Sequence, residues 1–322
     1  MINPSSKMFT VDLIKKKFLW IVLGAIIFYV LLILISDVEK ISESFLQINA
    51  EFLVLIFALG FASHVVKSFR QKDLLHTLGE KIPPLQNMFI YMSGLSLVTT
   101  PGGIGTLIKS IYLKERFDVP TEKSIAVIFI ERYHDLLAGT SIIITTLLFY
   151  FSTISLSLVV ISFAILGSFY LLIKSQRMFI YVYSRLSRIR FISKNLPEVG
   201  PTKSFSILTN PKNMTKGWLL SILGWGIDSL AVYVVFLALN VDLGYLLTSQ
   251  IYFTSLGYGV LSFLPAGIGV NEGLADFLLV RQGLDFSVAS SLVILMRLST
   301  VWFSTIIGIV FTRFALKQKI ES

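Results

Sequence analysis

The apolar residues of this chain come in long, nearly unbroken runs. Six of them, 18–36, 51–69, 121–150, 153–173, 217–239 and 287–312, are close to or above the length of a helix that crosses a membrane, about 20 residues for a hydrocarbon core of about 30 Å. Two further apolar stretches, 84–116 and 245–281, are interrupted by proline and glycine. Lipid offers no partner for a backbone N–H or C=O, so only helices and closed barrels span it. These runs lack the strict alternation of a barrel strand. The pattern therefore predicts an all-α integral membrane protein.

Charge between the runs decides how the two interrupted stretches are counted, because cytoplasmic loops carry the excess of Lys and Arg. The N-terminus is basic (Lys7, Lys15, Lys16, Lys17) and is assigned to the inside. The acidic loop after the first run (Asp37, Glu39, Glu43, Glu51) goes outside. Lys67, Arg70, Lys72 and Lys81 then mark the inside again. The loop 174–216 carries nine Lys and Arg residues and must be inside. Two ordinary spans precede it, so the turn at 116–120 is inside as well. Stretch 84–116 then starts and ends inside, and it is too short for two crossings. A re-entrant hairpin with its tip at 101–105 satisfies both conditions.

The same count makes 245–281 a hairpin that starts and ends outside. The fold expected is about six transmembrane helices plus two re-entrant helical hairpins, arranged as inverted repeats. It forms a single membrane domain over 1–322, with repeat one at 84–150, a basic cytoplasmic loop at 174–216 and repeat two at 245–313. Both termini are predicted to be cytoplasmic, in the cell membrane. The inversion requires that 121–150 cross once. Within the basic loop, 181–194 alternates Arg185, Arg188 and Lys194 with Leu186, Ile189 and Ile192, which suits either a surface-lying amphipathic helix or a solvated connector.

Composition narrows the picture further. Hydrophobic residues make up 54% of the chain, and the mean hydropathy is +0.78, outside the range of soluble domains. The formal net charge of +9 sits in loops, which points to orientation and anionic lipid rather than to nucleic acid. With no cysteine, thiolate metal sites and thiol nucleophiles are excluded. The three histidines, His64, His76 and His134, are scattered, so neither a metal site nor a cofactor is expected. No H-E-x-x-H, P-loop or G-x-S-x-G pattern is present. The first apolar run has no small-residue cleavage site after it, so an uncleaved first span is expected rather than a signal peptide.

The interruptions carry the candidate chemistry. Pro101-Gly102-Gly103-Ile104-Gly105 is answered by Pro265-Ala266-Gly267-Ile268-Gly269, and each copy is followed about thirty residues on by an arginine, Arg132 and Arg297. Proline ends a helix, and glycine allows positive φ and close backbone approach. A new helix starting at each tip brings free N–H groups and a positive dipole end to membrane depth, which suits an anion such as phosphate. A packing kink is the structural alternative. An arginine at the centre of a span costs about 2.5–3.5 kcal/mol on translocon scales. It is there either as a buried ion pair or as a bidentate clamp on phosphate.

Candidate substrate-binding residues are Pro101, Gly102, Gly103, Gly105, Thr106, Lys109, Arg132, Pro265, Gly267, Gly269, Asn271, Glu272 and Arg297. Glu272, in the first turn after its tip, also suits a helix cap. Glu131, His134, Asp135 and Asp228 are candidates for a proton relay or for ion pairing with the arginines.

In combination, Thr99-Thr100-Pro-Gly-Gly-Ile-Gly, Glu131-Arg132-x-x-Asp135, Leu264-Pro-Ala-Gly-Ile-Gly-Val-Asn-Glu272-Gly and Arg297 resemble the lysylphosphatidylglycerol synthase transmembrane-region family, over roughly 10–315. The form resembled is the stand-alone one, without the aminoacyl-transferase domain. The resemblance implies a flippase-like membrane domain that moves a phosphate-bearing phospholipid, or a polyprenyl-phosphate-linked sugar, between leaflets. In that family the first tip usually continues Gly-Glu; here Thr106 follows Gly105. The chain stops at Ser322, which leaves no room for the soluble synthase domain, so a transporter rather than an enzyme is expected.

Three functions remain open on the sequence. One is a lipid translocase working by alternating access. Another is a small-anion or proton-coupled solute transporter. The third is a non-catalytic membrane partner of a lipid-modifying enzyme or glycosyltransferase. Membrane lipids with an anionic or phosphate-bearing head group are the expected partners, and nucleic acid is not one.

Overall fold

Helix α1 (Ala50–Thr77) begins the part of the chain that a computed structural model describes, residues 48–174 and 202–317. The predicted span 18–36, the amphipathic segment 181–194 and both termini lie outside these residues. α1 runs eight residues past the predicted limit at 69. Hydropathy falls there, but Lys67, Arg70, Gln71 and Lys72 are good helix formers, and no breaker intervenes before Gly79 (φ 85°). Lys67 and Arg70 are therefore not loop residues. They lie in the helix and are buried.

α2 (Pro84–Gly94) starts with proline at its first helical position, where the missing N–H costs nothing. Two short 3₁₀ segments, Leu95–Leu97 and Pro101–Leu107, lead into α3 (Ile108–Phe117). Asp118 ends α3 in the left-handed region, φ 54°. α4 (Thr121–Leu147) is one continuous helix, so the stretch 121–150 is a single rod as far as 147, long enough to cross a hydrocarbon core. α5 (Thr153–Lys174), α6 (Thr202–Leu208) and α7 (Pro211–Ala238) follow.

The second half repeats the element order of the first: a helix, a 3₁₀ tip, a short helix and a long rod. α8 (Tyr245–Leu261) meets the tip Pro265–Gly267, and α9 (Val270–Val280) leaves it. α10 (Phe286–Arg297), capped by the Asp285 side chain, passes through a π turn at Leu298–Trp302 into α11 (Phe303–Lys317). Among the described residues there is no strand. Four helical segments are long and apolar enough to cross a membrane: Ala50–Thr77, Thr153–Leu171, Pro211–Ala238 and Phe286–Ala315. α4 matches them in length but carries Glu131, Arg132 and Asp135 at its middle.

α1 and α7 pack along each other, α4 lies against α7, α8 and α5, and α11 covers α2 and the turn at Leu95–Leu97. One apolar core joins Val235, Phe236, Ile251, Leu279, Leu292 and Val293. A second, under the first hairpin, joins Leu74, Leu75, Ile90, Leu113, Ile130 and Phe205. Val54, Val160, Phe163 and Ile306 point outward, as expected where the solvent is lipid. The two 3₁₀ tips touch, and the Ala266 N–H donates to the Thr99 carbonyl at 2.9 Å.

α11 reaches the first hairpin through Gly308, where an added Cβ would lie 2.0 Å from the Ser96 nitrogen. Backbone cannot yield as a side-chain end can. Gly308→Ala is expected to push α11 off the hairpin and cost about 1–3 kcal/mol, the range for overpacking. A lowered melting temperature of the purified protein in detergent checks this, and an unchanged one contradicts the close approach.

Candidate functional site

The two tips are built differently. In the first, the Thr100 side chain accepts from the Gly105 N–H at 2.7 Å, and its carbonyl accepts from the Gly103 N–H at 2.8 Å. Gly105 is pressed against Leu97, where a Cβ would lie 2.5 Å from the Leu97 Cβ, so no larger residue fits. Thr106 turns its hydroxyl back to the Gly103 carbonyl, 2.8 Å. In the second tip, Ala266 sits at φ 55° and Gly267 at φ 68°. Such values are strained for an alanine. The contact to Thr99 and a hydrogen bond from Arg297 Nη2 to the Ala266 carbonyl, 2.5 Å, hold it there.

Glu272 ties the second tip to its helix and to the rod behind it. One carboxylate oxygen accepts from the Gly269 N–H at 2.8 Å, satisfying one of the orphan donors at the start of α9. The other accepts from Arg297 Nε, also at 2.8 Å. Both side chains are buried. Glu272 is thus a cap and an ion-pair partner together. Beside it, Asn271 is buried with no partner for its side-chain carbonyl among the described residues.

The first hairpin carries the same connection with the charges exchanged. Lys109 on α3 pairs with Glu131 on α4 at 2.5 Å, both buried. After the second tip the acid is on the short helix and the base on the rod; after the first the base is on the short helix and the acid on the rod. Lys109 also lies 5.0 Å from the centre of the Tyr91 ring. The carboxylate that the resemblance leads one to expect after Gly105 is absent, and Glu131 stands on the opposite side of the pair.

Asp135 organises a third cluster. Its Oδ1 accepts from Arg70 Nη1 at 2.5 Å and from Trp225 Nε1 at 2.9 Å, and its Oδ2 lies 3.4 Å from Arg132 Nη2. Arg70 also donates to Ser221. The i, i+3 neighbour anticipated for Asp135, Arg132, is the looser of its two arginine contacts, and the Arg132 side chain is 41% exposed. Asp228 accepts from the Tyr252 hydroxyl at 2.7 Å. His134 packs on Gly217 of α7, and neither ring nitrogen has a hydrogen-bond partner among the described residues. Glu131, His134, Asp135 and Asp228 are not joined to one another by any hydrogen bond among the described residues.

Arg70, Lys67, Trp225 and Ser221 were not candidates on sequence. The signal that could have found the first two is their spacing: three apart on an uninterrupted helix, they share a face. Nothing local in the sequence marks Trp225 or Ser221. Among the described residues no group of His, Asp and Glu could hold a metal.

Broken helices that meet tip to tip inside a bundle of long apolar rods, with ion pairs buried beneath them, define a class: multi-pass all-α membrane proteins with a polar interior. Within it, the chain belongs to the family described as the lysylphosphatidylglycerol synthase TM region, which matches residues 21–308. It is similar to UPF0104 membrane proteins of Methanocaldococcus jannaschii. One is 22% identical with 98% of each chain covered; another is 28% identical with 68% of this chain and 94% of the relative covered. A UPF0104 membrane protein of Methanothermobacter thermautotrophicus is 30% identical over 35% of this chain and 33% of its own length.

Proposed function

We propose that the protein is a lipid translocase, moving a phosphate-bearing membrane lipid or polyprenyl-phosphate-linked sugar between leaflets of the cell membrane. The observation that carries this reading is the contact of two helix breaks inside an apolar bundle, with buried ion pairs on both sides. Backbone breaks are tolerated at membrane depth only where protein or a cavity surrounds them. Paired broken helices from two repeats are how many transporters build a site near the midplane. The family's name, which refers to the membrane region of a lipid-modifying enzyme, adds the ligand class.

In this reading the two hairpins enter from opposite faces, and the head group meets them where the tips join. Arg132, half exposed and held loosely by Asp135, makes the first contact with the phosphate. Arg297 stays on Glu272 and the Ala266 carbonyl until the head group competes for it. The hydrocarbon tail remains in lipid throughout. Opening on one side and then the other requires the tips to part.

Transport of fluorescent phospholipids in proteoliposomes tests the proposal. Arg132→Ala is expected to keep the fold, because its side chain is 41% exposed, and to lower the translocation rate at least about tenfold, equivalent to about 1.4 kcal/mol of barrier. Full-rate transport by this variant removes Arg132 from the site. Wild-type protein that moves small anions but no lipid would favour the solute-transporter alternative.

A further inference from the structure

We infer that Lys67, Arg70 and Arg132, brought together by α1, α4 and α7, form a binding site for a phosphate-bearing anion. The observation is a surplus of buried cationic donors. Arg70 is fully buried, yet only its Nη1 is used; Nε and Nη2 have no partner among the described residues. Arg132 Nε is also buried and without a partner there. Lys67 is 3% exposed. Its ammonium lies 3.4 Å from the centre of the Trp225 ring, and it makes no ion pair among the described residues.

Charge counting gives the same answer. Lys67 lies within electrostatic reach of Asp135, Asp228, Arg70 and Arg132. Arg70 is also within reach of Glu131, but that carboxylate is paired with Lys109; three cations therefore share Asp135 and Asp228, and only Asp135 is in ion-pair contact with any of them. Asp228 has one oxygen on the Tyr252 hydroxyl. An isolated buried charge is costly, and unused donors on a charged group add to the cost. A purely structural ion pair would need one arginine here, not two arginines and a lysine.

An anion with three or more oxygens removes both deficits. Phosphate accepts two parallel bonds from a guanidinium edge and a point-charge contact from an ammonium. The π face of Trp225 is a resting place for the Lys67 ammonium when no anion is present. Arg132, on the partly exposed side of the cluster, provides the entrance.

The site deepens the translocase reading, but it rests on that reading only for the source of the phosphate. A lipid head group and free inorganic phosphate share this chemistry, and the experiment separates them. The full chain in neutral detergent is titrated with phosphatidic acid, with diacylglycerol as the same tails without phosphate, and with inorganic phosphate. Tryptophan emission is followed, and Trp225→Phe identifies the part of the signal that comes from beside Lys67.

The expected result is a saturable change with phosphatidic acid and none with diacylglycerol. Affinity is expected to fall at least about tenfold in Lys67→Met and in Arg132→Gln, about 1.4 kcal/mol each, and to be largely kept in Lys67→Arg. Removing Lys67 leaves no carboxylate unpaired, so Lys67→Met is expected to fold. Should it not, Arg132→Gln decides. Saturation by inorganic phosphate at the same residues, with no preference for phosphatidic acid, supports the site but assigns it a free anion, against the lipid reading. No saturable binding by folded wild-type protein, or wild-type affinity in the substituted proteins that fold, overturns it.

Discussion

Glu272→Leu is expected to destabilise the protein by about 3–5 kcal/mol, the range for removing one partner of a buried ion pair. The loss has two parts. Arg297 is left charged and buried, its Nε having lost an acceptor at 2.8 Å. The Gly269 N–H at the start of α9 loses its acceptor as well. The second tip is strained at Ala266, and Arg297 holds that residue by its carbonyl. The damage therefore reaches the contact between the hairpins.

The double variant Glu272→Leu, Arg297→Met replaces the pair by apolar groups of comparable volume. It is expected to regain most of the loss, because no buried charge remains. Thermal unfolding of the three proteins in detergent measures the coupling. A single variant as stable as wild type would mean that the ion pair does not hold the second tip. The double variant also separates structure from function: folded but inactive in lipid transport, it would place Arg297 in head-group binding; folded and active, it would leave Arg297 a purely structural role.

Both helix breaks were legible in the sequence, because such breaks have local causes. Proline lacks an N–H and glycine lacks a Cβ, and the chain must turn wherever they cluster in an apolar run. The positions 101–105 and 265–269 therefore correspond to the observed tips, within the usual uncertainty of helix ends. The continuity of α4 was legible as well, since nothing in 121–147 breaks a helix.

The ion-pair partners were less so, for a physical reason. Asp135 and Arg132 are neighbours on one helix, and spacing brings them together. Yet the tighter arginine contact to Asp135 comes from Arg70, on a helix 65 residues away, at 2.5 Å. Whether a long side chain reaches a given carboxylate depends on how helices pack, and hydropathy patterns do not encode that.

The same limit explains Lys67 and Arg70. A basic cluster after an apolar run usually lies at the membrane surface. Here the helix continues and α7 packs against it, so Lys67 and Arg70 lie buried in the helix rather than at a surface loop. The exchange of charge between Lys109–Glu131 and Glu272–Arg297 was likewise hidden, because the matching spacing pairs Arg132 with Arg297, whereas Glu131 finds its partner in Lys109 rather than in an arginine.

Locking the two tips together is expected to abolish transport. The Ala266 N–H donates to the Thr99 carbonyl at 2.9 Å; hydrogen-bonded backbone pairs hold their Cα atoms about 5.5 Å apart, within the span a disulfide bridges. The chain has no cysteine, so Thr99→Cys with Ala266→Cys introduces the two thiols without competitors. Cysteine, like alanine, is unbranched at Cβ and adds little to the strain already present at position 266. Alternating access requires a head group to pass between the hairpins, and crosslinked tips block that path in both directions. Oxidised double-cysteine protein in proteoliposomes is therefore expected to move no labelled lipid, and reduction is expected to restore transport. Each single-cysteine protein should be indifferent to oxidant. Crosslinked protein that still transports at the wild-type rate would show that lipid passes elsewhere, with the α1, α4 and α7 cluster the next route to examine. Crosslinking that leaves affinity for phosphatidic acid at Lys67 unchanged would separate binding from passage: the anion site would load on one side of a closed gate, and parting of the tips would be the step that carries the head group across.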